Sequence, residues 1–427
     1  MALFTGIDLG TSGCRVTVIN DDNQVVSAAS GQIDTPLPDQ PGRHEQEAAT
    51  WWDTMIEVLQ NALSGIPAGD VVSICVDGTS STLLLADRTG NPLGSALMYN
   101  DTRCKAESDN LDHLIPQDSA AYGAGSSLAR LMYLGKKYPD ATYALHQADW
   151  LTGKLSGQYG HSDENNCLKL GYVPGAGCWP DWIKQSGINT GMLPQVHEPG
   201  TPIALIKPEV ADLLGLSHHT RVVAGTTDST AAFLATGAHE TGDAVTSLGS
   251  TLVLKVISDK PVFSRKHGVY SHRISGKWLC GGASNSGGAA LLRFFTVNEM
   301  NGMMHTLKPE QETGLDYYPL PGVGERFPVS DPGFQPRLPN GIPDNAAERS
   351  RIFQGLLEGI SRIEGRGYQL LAELGAPCPK RVLTVGGGSA NPAWNKIRQN
   401  LLQVPVIVPA HHQASYGTAL LAKQGAN

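Results

Sequence analysis

"GIDLGTSGCRVTVIN" (residues 6–20) carries a single acidic residue, Asp8, inside an apolar strand pattern, then Gly, Thr, Ser and Gly before a second apolar run. Two short runs around Gly-containing turn residues read as a β-hairpin. A carboxylate in such a strand is costly unless a partner compensates it. A near-echo, "AVTSLGSTLVLKVI", returns at residues 244–257. The recurrence of strand, Gly/Ser/Thr turn and strand divides the chain into two halves of one design, a duplicated α/β fold.

The surrounding patterns support that division. "NQVVSAASGQI" (23–33) adds a third strand, and Trp52, Ile56, Leu59 and Leu63 recur at helical spacing within residues 46–64. "VVSICVDGTSSTLLLAD" (71–87) is a strand ending in Asp-Gly-Thr-Ser, followed by another strand. In the second half, "GVYSHRISGKWLCGGASNSGG" (268–288) continues a sheet, and a long helix is expected over 349–374 with Ile352, Leu356, Ile360, Ile363 and Leu371 on one side. "RVLTVGGG" reads as a short strand, residues 392–402 as a helix, and "VPVIVP" (404–409) as a buried strand. Pro- and Gly-rich residues 309–345 read as an irregular excursion rather than core. The turn residues of "TGAHETGD" put the boundary near 235–245, giving domains 1–240 and 241–427.

The chain has 427 residues, 41% hydrophobic and 17% charged, with a net charge of −8 and no basic run. Nucleic-acid and membrane partners are therefore not expected, and the substrate must be held by local groups. Seven cysteines without a CxxC pair suggest reduced thiols. Residues 1–5 lead straight into a strand, so the expected location is the cytoplasm, or a chloroplast if a transit peptide has been removed. The expected state is a monomer or weak homo-oligomer. His411 and His412 lack nearby ligand partners, Trp51 and Trp52 read as a core anchor, and His218–His219 as a surface turn.

"LGTSG" (9–13) and "LGSTL" (248–252) put Gly, Thr and Ser at hairpin tips, where bare backbone and hydroxyls can cradle phosphate oxygens. Either turn alone also fits an ordinary tight turn; their pairing favours a two-sided phosphate clamp. No GxxxxGK[ST] or GxGxxG motif is present. "VGGGSANPAW" (385–394) lies between a strand and a helix; it fits either a packing turn or a ledge for a flat ring. Asp8 is placed to hold magnesium on the phosphates through oxygen ligands. "VVAGTTDSTAAFLATGA" (222–238) is a strand, a small-residue turn and a helix starting at Asp228 or Ser229. Asp228 can be a helix cap or, beside its small neighbours, a general base for phosphoryl transfer. Asp77, Thr79 and Ser80, with Asp101 and Arg103 of "YNDTR" (99–103), could offer groups to a polyol; for Asp101 and Arg103 turn chemistry and a surface ion pair fit equally well.

Taken in order, "GIDLGTSG", "QADWLTGKLSG" followed by "SDENN", "AGTTDS", "SLGST", "YYPLPGVGERFP" and "VGGGSANPAWNKIRQNLL" resemble the FGGY carbohydrate kinases over nearly the whole chain. "DGTS", "QADWL" and "GLDYYPLP…GERFP" are most similar to the short cyanobacterial and plant D-ribulose kinases, a xylulose-kinase-like group. The resemblance implies two actin-like, ribonuclease-H-like domains around a cleft, with ATP and Mg²⁺ as co-substrate and cofactor and a ketopentose as acceptor. It also implies that Asp8, Ser80 and Asp228 contact the sugar, with Asp228 as base. Thr11, Ser12 and Gly13, with Gly249 and Ser250, would face the phosphates, and Gly387, Gly388, Asn391 and Trp394 would border the adenine. Tyr99 stands where the family often has Trp, and the chain is shorter than typical pentulose and glycerol kinases. D-Xylulose, L-ribulose or glycerol remain alternative acceptors; a chaperone- or filament-type ATPase and a sugar-sensing module are the rivals of other classes.

Overall fold

The computed structural model describes residues 1–35 and 40–426, which form two compact units. The first comprises residues 1–235, 272–275 and 411–427; the second comprises 236–271 and 276–410. The division at 240 expected from the sequence is thus one of chain order, whereas the last residues join the first unit.

In the first unit β1 (Leu3–Leu9), β2 (Gly13–Asn20) and β3 (Val25–Gln32) form the expected antiparallel meander. Strand β4 (Val71–Gly78) pairs parallel to β1, and β6 (Arg221–Val223) parallel to β4, with β5 (Pro202–Leu205) at the edge. The resulting order is β5-β6-β4-β1-β2-β3. Helix α1 (Ala48–Leu63) buries Trp51, Met55, Val58, Leu59 and Ala62 against Ile7, Val16 and Val18. The apolar stripe is rotated from the sequence expectation: Trp51 is the core anchor, and Trp52 and Ile56 are only half-buried.

Helix α2 (Gln147–Ser156) follows a short strand of a separate antiparallel sheet, whereas helix α3 (Asp228–Ala235) follows β6 of the six-stranded sheet. The connection from β6 puts the N-terminus of α3 at the carboxyl end of a parallel strand, where open α/β sheets bind ligands.

The second unit repeats the plan. β7 (Asp243–Leu248) is antiparallel to β8 (Leu252–Ser258), which pairs with β10 (Lys277–Ser284), while β9 (Tyr270–Ile274) lies at that edge. β11 (Arg381–Val385) is parallel to β7, and β12 (Val406–Ile407) is parallel to β11. In each unit the opening strand sits centrally, antiparallel to its successor and parallel to a much later strand. Helices α4 (Ala346–Glu373) and α5 (Pro392–Leu402) pack on the second sheet, with Leu356, Ile360, Ile363 and Leu371 in the core.

Two expectations are corrected in this unit. The "VPVIVP" strand is an edge rather than a buried strand: its ladder covers two residues, and Ile407 and Val408 are exposed. Residues 309–345 are irregular but not peripheral, because Leu320 and Phe327 are fully buried. Buried Glu325 ties this segment down by accepting hydrogen bonds from Ser284 Oγ (2.6 Å), Asn285 N (2.9 Å) and Tyr318 Oη (3.2 Å). An irregular chain enters a core when its polar groups are satisfied in this way.

Helix α6 (Ala414–Gln424) ends the chain and packs on β1 and α3 of the first unit. Bare backbone permits the approach at two points. A side chain at Gly6 would collide with Ala419 N and Ser415 O, and one at Gly417 with Ala231 O. Thr17 Oγ1 and Ser415 Oγ (2.8 Å) and the bond from Ser73 Oγ to Ala422 O (2.6 Å) fix the docking. No helix among the described residues is long and apolar enough to cross a membrane. All seven cysteines are free, and only Cys178 and Cys378 are exposed.

Candidate active site

Strand register assembles the centre of the first unit. Asp8 lies directly opposite Asp77 of β4 on one side and Arg15 of β2 on the other. Cross-strand partners share a face of the sheet, so a cation and two carboxyl groups form one row. Asp8 is 5% exposed and Asp77 is fully buried. Burial raises the pKa of both; for Asp77 the neighbouring Asp8 charge raises it further. Two carboxyl groups this close disfavour a charge on both at once. Arg15 Nη1 stands 3.4 Å from Asp8 Oδ2, and the Thr418 hydroxyl of α6 donates to Asp77 Oδ2.

Asp77 Oδ1 has no hydrogen-bond partner despite its burial. Of the two carboxyl groups Asp8 is the one with access to solvent, and it suits a hard cation, which prefers oxygen ligands. Among the described residues no three His, Cys, Asp or Glu side chains converge as a metal cluster. Asp8 is the residue here that would hold a magnesium ion, which would neutralise charge on bound phosphates.

Asp228 begins α3 and is half-buried. The preceding loop is pressed against β4: a side chain on Gly225 would collide with Val76 O, and Thr227 bridges Gly78. Thr226 Oγ1 accepts from Asn165 Nδ2 (3.0 Å), and the Thr227 and Thr230 hydroxyls pair at 3.0 Å. The loop is thus held by buried threonines, while Asp228 keeps access to solvent. Its Oδ1 accepts from the adjacent Ser229 N (2.5 Å), and its negative charge acts on Asp77. Asp8, Asp77 and Asp228 therefore gather at the carboxyl ends of β1, β4 and the strand preceding α3.

Ser80 is half-buried in the turn after β4. That turn is organised by residues the sequence reading passed over. Gln147 Oε1 accepts from Thr79 N (3.0 Å) and Thr79 Oγ1 (2.9 Å), and Ser81 takes a positive φ of 71°. Gln147 Nε2 and Ser81 Oγ are buried without partners. The quoted "QADWL" segment was a signal for Gln147, but nothing in it indicates which turn it braces.

Asp101 and Arg103 form an ion pair. Asp101 is fully buried and accepts from His44 N (2.7 Å), Arg103 N (3.0 Å) and Arg103 Nη2 (2.7 Å), and Arg103 also reaches Glu45 (2.5 Å). The ion pair is anchored at a buried end, not on the surface.

The first hairpin tip closes through Gly10 N to Gly13 O (2.9 Å), leaving Ser12 exposed and Thr11 and Gly13 half-buried. Thr11 O is occupied by Gln46 Nε2 (2.8 Å). In the second unit, Gly249 O and Ser250 O accept from Gly288 N (2.8 Å) and Ala289 N (3.1 Å), and Ser250 is exposed. Each tip thus uses its carbonyls for the fold and presents a serine outward.

The triple-glycine turn divides its expected roles. Gly387 is exposed, and a side chain there would meet nothing within 4 Å. Gly388 instead gives room to Trp394 and Leu248. Asn391 caps α5, its side chain accepting from Trp394 N (3.1 Å). Trp394 is 3% exposed in the second core and donates its indole N–H to Ser361 Oγ (3.1 Å). The expected adenine border is corrected accordingly: Gly387 is open to solvent, whereas Asn391 and Trp394 are buried in the fold and Gly388 makes room for the Trp394 ring.

The "SDENN" segment contains a proton-binding group. Asp163 is buried and its pKa lies at about 7, raised from 3.8 first by burial and then by the Asp149 charge. Its carboxyl accepts from Asn165 N (2.8 Å), Asn166 N (3.0 Å) and Asn166 Nδ2 (2.6 Å), whereas Asn166 Oδ1 has no partner. A folded-state pKa above the unfolded value stabilises the fold at low pH, and that stability declines from about pH 4 to pH 7. Asp163→Asn keeps the shape and stays neutral, and a turned Asn166 amide can accept from it. Between pH 5 and pH 8 the wild type should therefore lose stability relative to this variant, by up to about 1.4 kcal/mol per pH unit up to the folded pKa. Thermal melts at both pH values check this; parallel pH profiles contradict it.

Two units of one sheet order, each opening on a Gly/Ser/Thr hairpin, define a duplicated α/β fold of the actin-like, ribonuclease-H-like kind. The model of the FGGY family of carbohydrate kinases, N-terminal domain, matches residues 3–235, and the C-terminal-domain model matches residues 244–425. The chain belongs to the FGGY family of carbohydrate kinases and is an ATP-dependent sugar kinase. It is 25% identical to the xylulose kinase of Bacillus subtilis (strain 168), covering 100% of this chain and 88% of the relative. It is 24% identical to the autoinducer-2 kinase of Yersinia enterocolitica, covering 98% and 85%. The crystal structure of a xylulose kinase from Brucella ovis (printed there as "xyloylose") superposes with a TM-score of 0.88 at 24% identity, over 99% of this chain and 90% of that one.

Proposed function

We propose that this kinase transfers the γ-phosphoryl group of ATP to the terminal hydroxyl of a ketopentose, converting D-ribulose to D-ribulose 5-phosphate. The observation that carries the proposal is the half-buried Asp228 at the start of α3, in the electrostatic field of the Asp8–Asp77 pair. In this reading Asp228 accepts the proton of the C5 hydroxyl as its oxygen attacks phosphorus. Asp8 and Ser80 orient the sugar's other hydroxyls, with Arg15 beside the Asp8 carboxylate. Hydroxyls and bare backbone at Thr11, Ser12 and Gly13, and at Gly249 and Ser250, hold phosphate oxygens, with Gly387 beneath the base. Magnesium, held at Asp8, would neutralise charge on the phosphates.

The preference for ribulose rests on "DGTS" and "QADWL", similar to the short D-ribulose kinases. D-Xylulose is the second reading, favoured by the similarity to the xylulose kinases of Bacillus subtilis and Staphylococcus xylosus. The acceptor pocket discriminates by hydroxyl geometry, and a site built to bond a hydroxyl rejects an analogue that misplaces it. A coupled ADP-release assay over D-ribulose, D-xylulose, L-ribulose and glycerol should give the highest kcat/KM with D-ribulose, by about 10-fold or more. A higher value for D-xylulose replaces the first reading with the second.

A further inference from the structure

We infer that Thr246, Glu364, Arg398 and Thr384 form a buried ring that sets the two nucleotide turns of the second unit, and that they are positioning residues for ATP. The inference rests on reading Gly249–Ser250 and Gly387 as nucleotide contacts.

The ring begins in the strand register. Thr246 of β7 lies directly opposite Thr384 of β11, so their side chains share a face. The first stands three residues before Gly249 and the second two before Gly386; each strand therefore runs into one of the turns. Thr246 Oγ1 donates to Glu364 Oε1 of α4 at 2.5 Å. Arg398 of α5 donates through Nε and Nη2 to the two oxygens of Glu364, both at 2.7 Å, and through Nη1 to Thr384 Oγ1 at 2.6 Å. The Tyr368 hydroxyl adds a 2.8 Å contact to Thr246. All four ring residues are fully buried.

Cohesion does not explain this arrangement. Removing two charges from water costs enough that well-packed apolar side chains would join α4 to α5 at least as well. What the guanidinium–carboxylate fork supplies is fixed direction, because two parallel bonds allow one planar geometry. Each end of that fork holds the hydroxyl of a strand leading to a turn. The ring thus adds a fixed side-chain geometry to the backbone ladder that pairs the two strands as far as Ser247 and Val385, just before the turns. Small misplacements of binding groups have large consequences in such sites.

The test uses isosteric changes that keep the ion pair. In the full-length enzyme, ADP binding is measured by calorimetry for the wild type, Thr246→Val/Thr384→Val, Thr246→Ser/Thr384→Ser and Gly387→Val. The valine pair should raise the ADP Kd about 10-fold, with the KM for sugar unchanged, and the serine pair should stay within about 2-fold of wild type. Each single valine variant is measured as well, so that a fold failure of the pair leaves a readout. A lowered melting temperature with unchanged ADP affinity, in the pair or in both singles, overturns the inference. If Gly387→Val weakens ADP and the valine variants do not, only the ring's role falls; if neither weakens it, the nucleotide reading of this unit falls too.

Discussion

Asp228→Ala lowers sugar-dependent turnover by about 10²-fold or more, the usual contribution of a positioned general base, while the ADP Kd stays close to wild type. The separation follows from the geometry. Asp228 stands on the loop held by Thr226, Thr227 and Asn165 in the first unit, whereas the proposed adenine ledge is in the second. The change removes a proton acceptor without opening the buried threonine scaffold. Steady-state assays at saturating ATP, paired with calorimetry, measure both quantities. Turnover within a few-fold of wild type would remove Asp228 from the chemistry; a parallel loss of ADP binding would give it a structural role instead.

Gly6→Val destabilises the protein by roughly 3 kcal/mol or more, beyond the usual cost of overpacking because the obstacle is backbone. The side chain would meet Ala419 N and Ser415 O, which cannot rotate away, so α6 must lift from β1. That displacement also withdraws Thr418 from Asp77 and leaves a second buried carboxyl oxygen unsatisfied. Urea unfolding should show a lower midpoint, and residual folded enzyme should have reduced turnover. A midpoint equal to the wild type's would mean that α6 is not docked through Gly6.

These two residues mark the limits of what the chain discloses by itself. The hairpins, their recurrence, α4 and the start of α3 are local patterns of period and turn chemistry, and all were legible. The Asp8–Asp77 pairing depends on register between strands separated by a helix, and the Thr418 contact spans 341 residues. Neither leaves a local signal, so α6 was assigned with the second half and its hydroxyl had no visible purpose. Trp394 was misjudged for the opposite reason: an aromatic beside three glycines looks like a ligand platform. In the fold Gly388 makes room for the ring itself, which is core. Glu325 shows the same effect, since a Pro- and Gly-rich segment turned out to bury a fully hydrogen-bonded acid.

A crystal structure of the enzyme with D-ribulose and a non-hydrolysable ATP analogue tests the central claim most directly. The C5 hydroxyl should lie within about 2.6–3.2 Å of an Asp228 carboxylate oxygen, with Asp8 and Ser80 on the remaining hydroxyls. A sugar bound away from Asp228, or one that presents a different hydroxyl to it, would contradict the account.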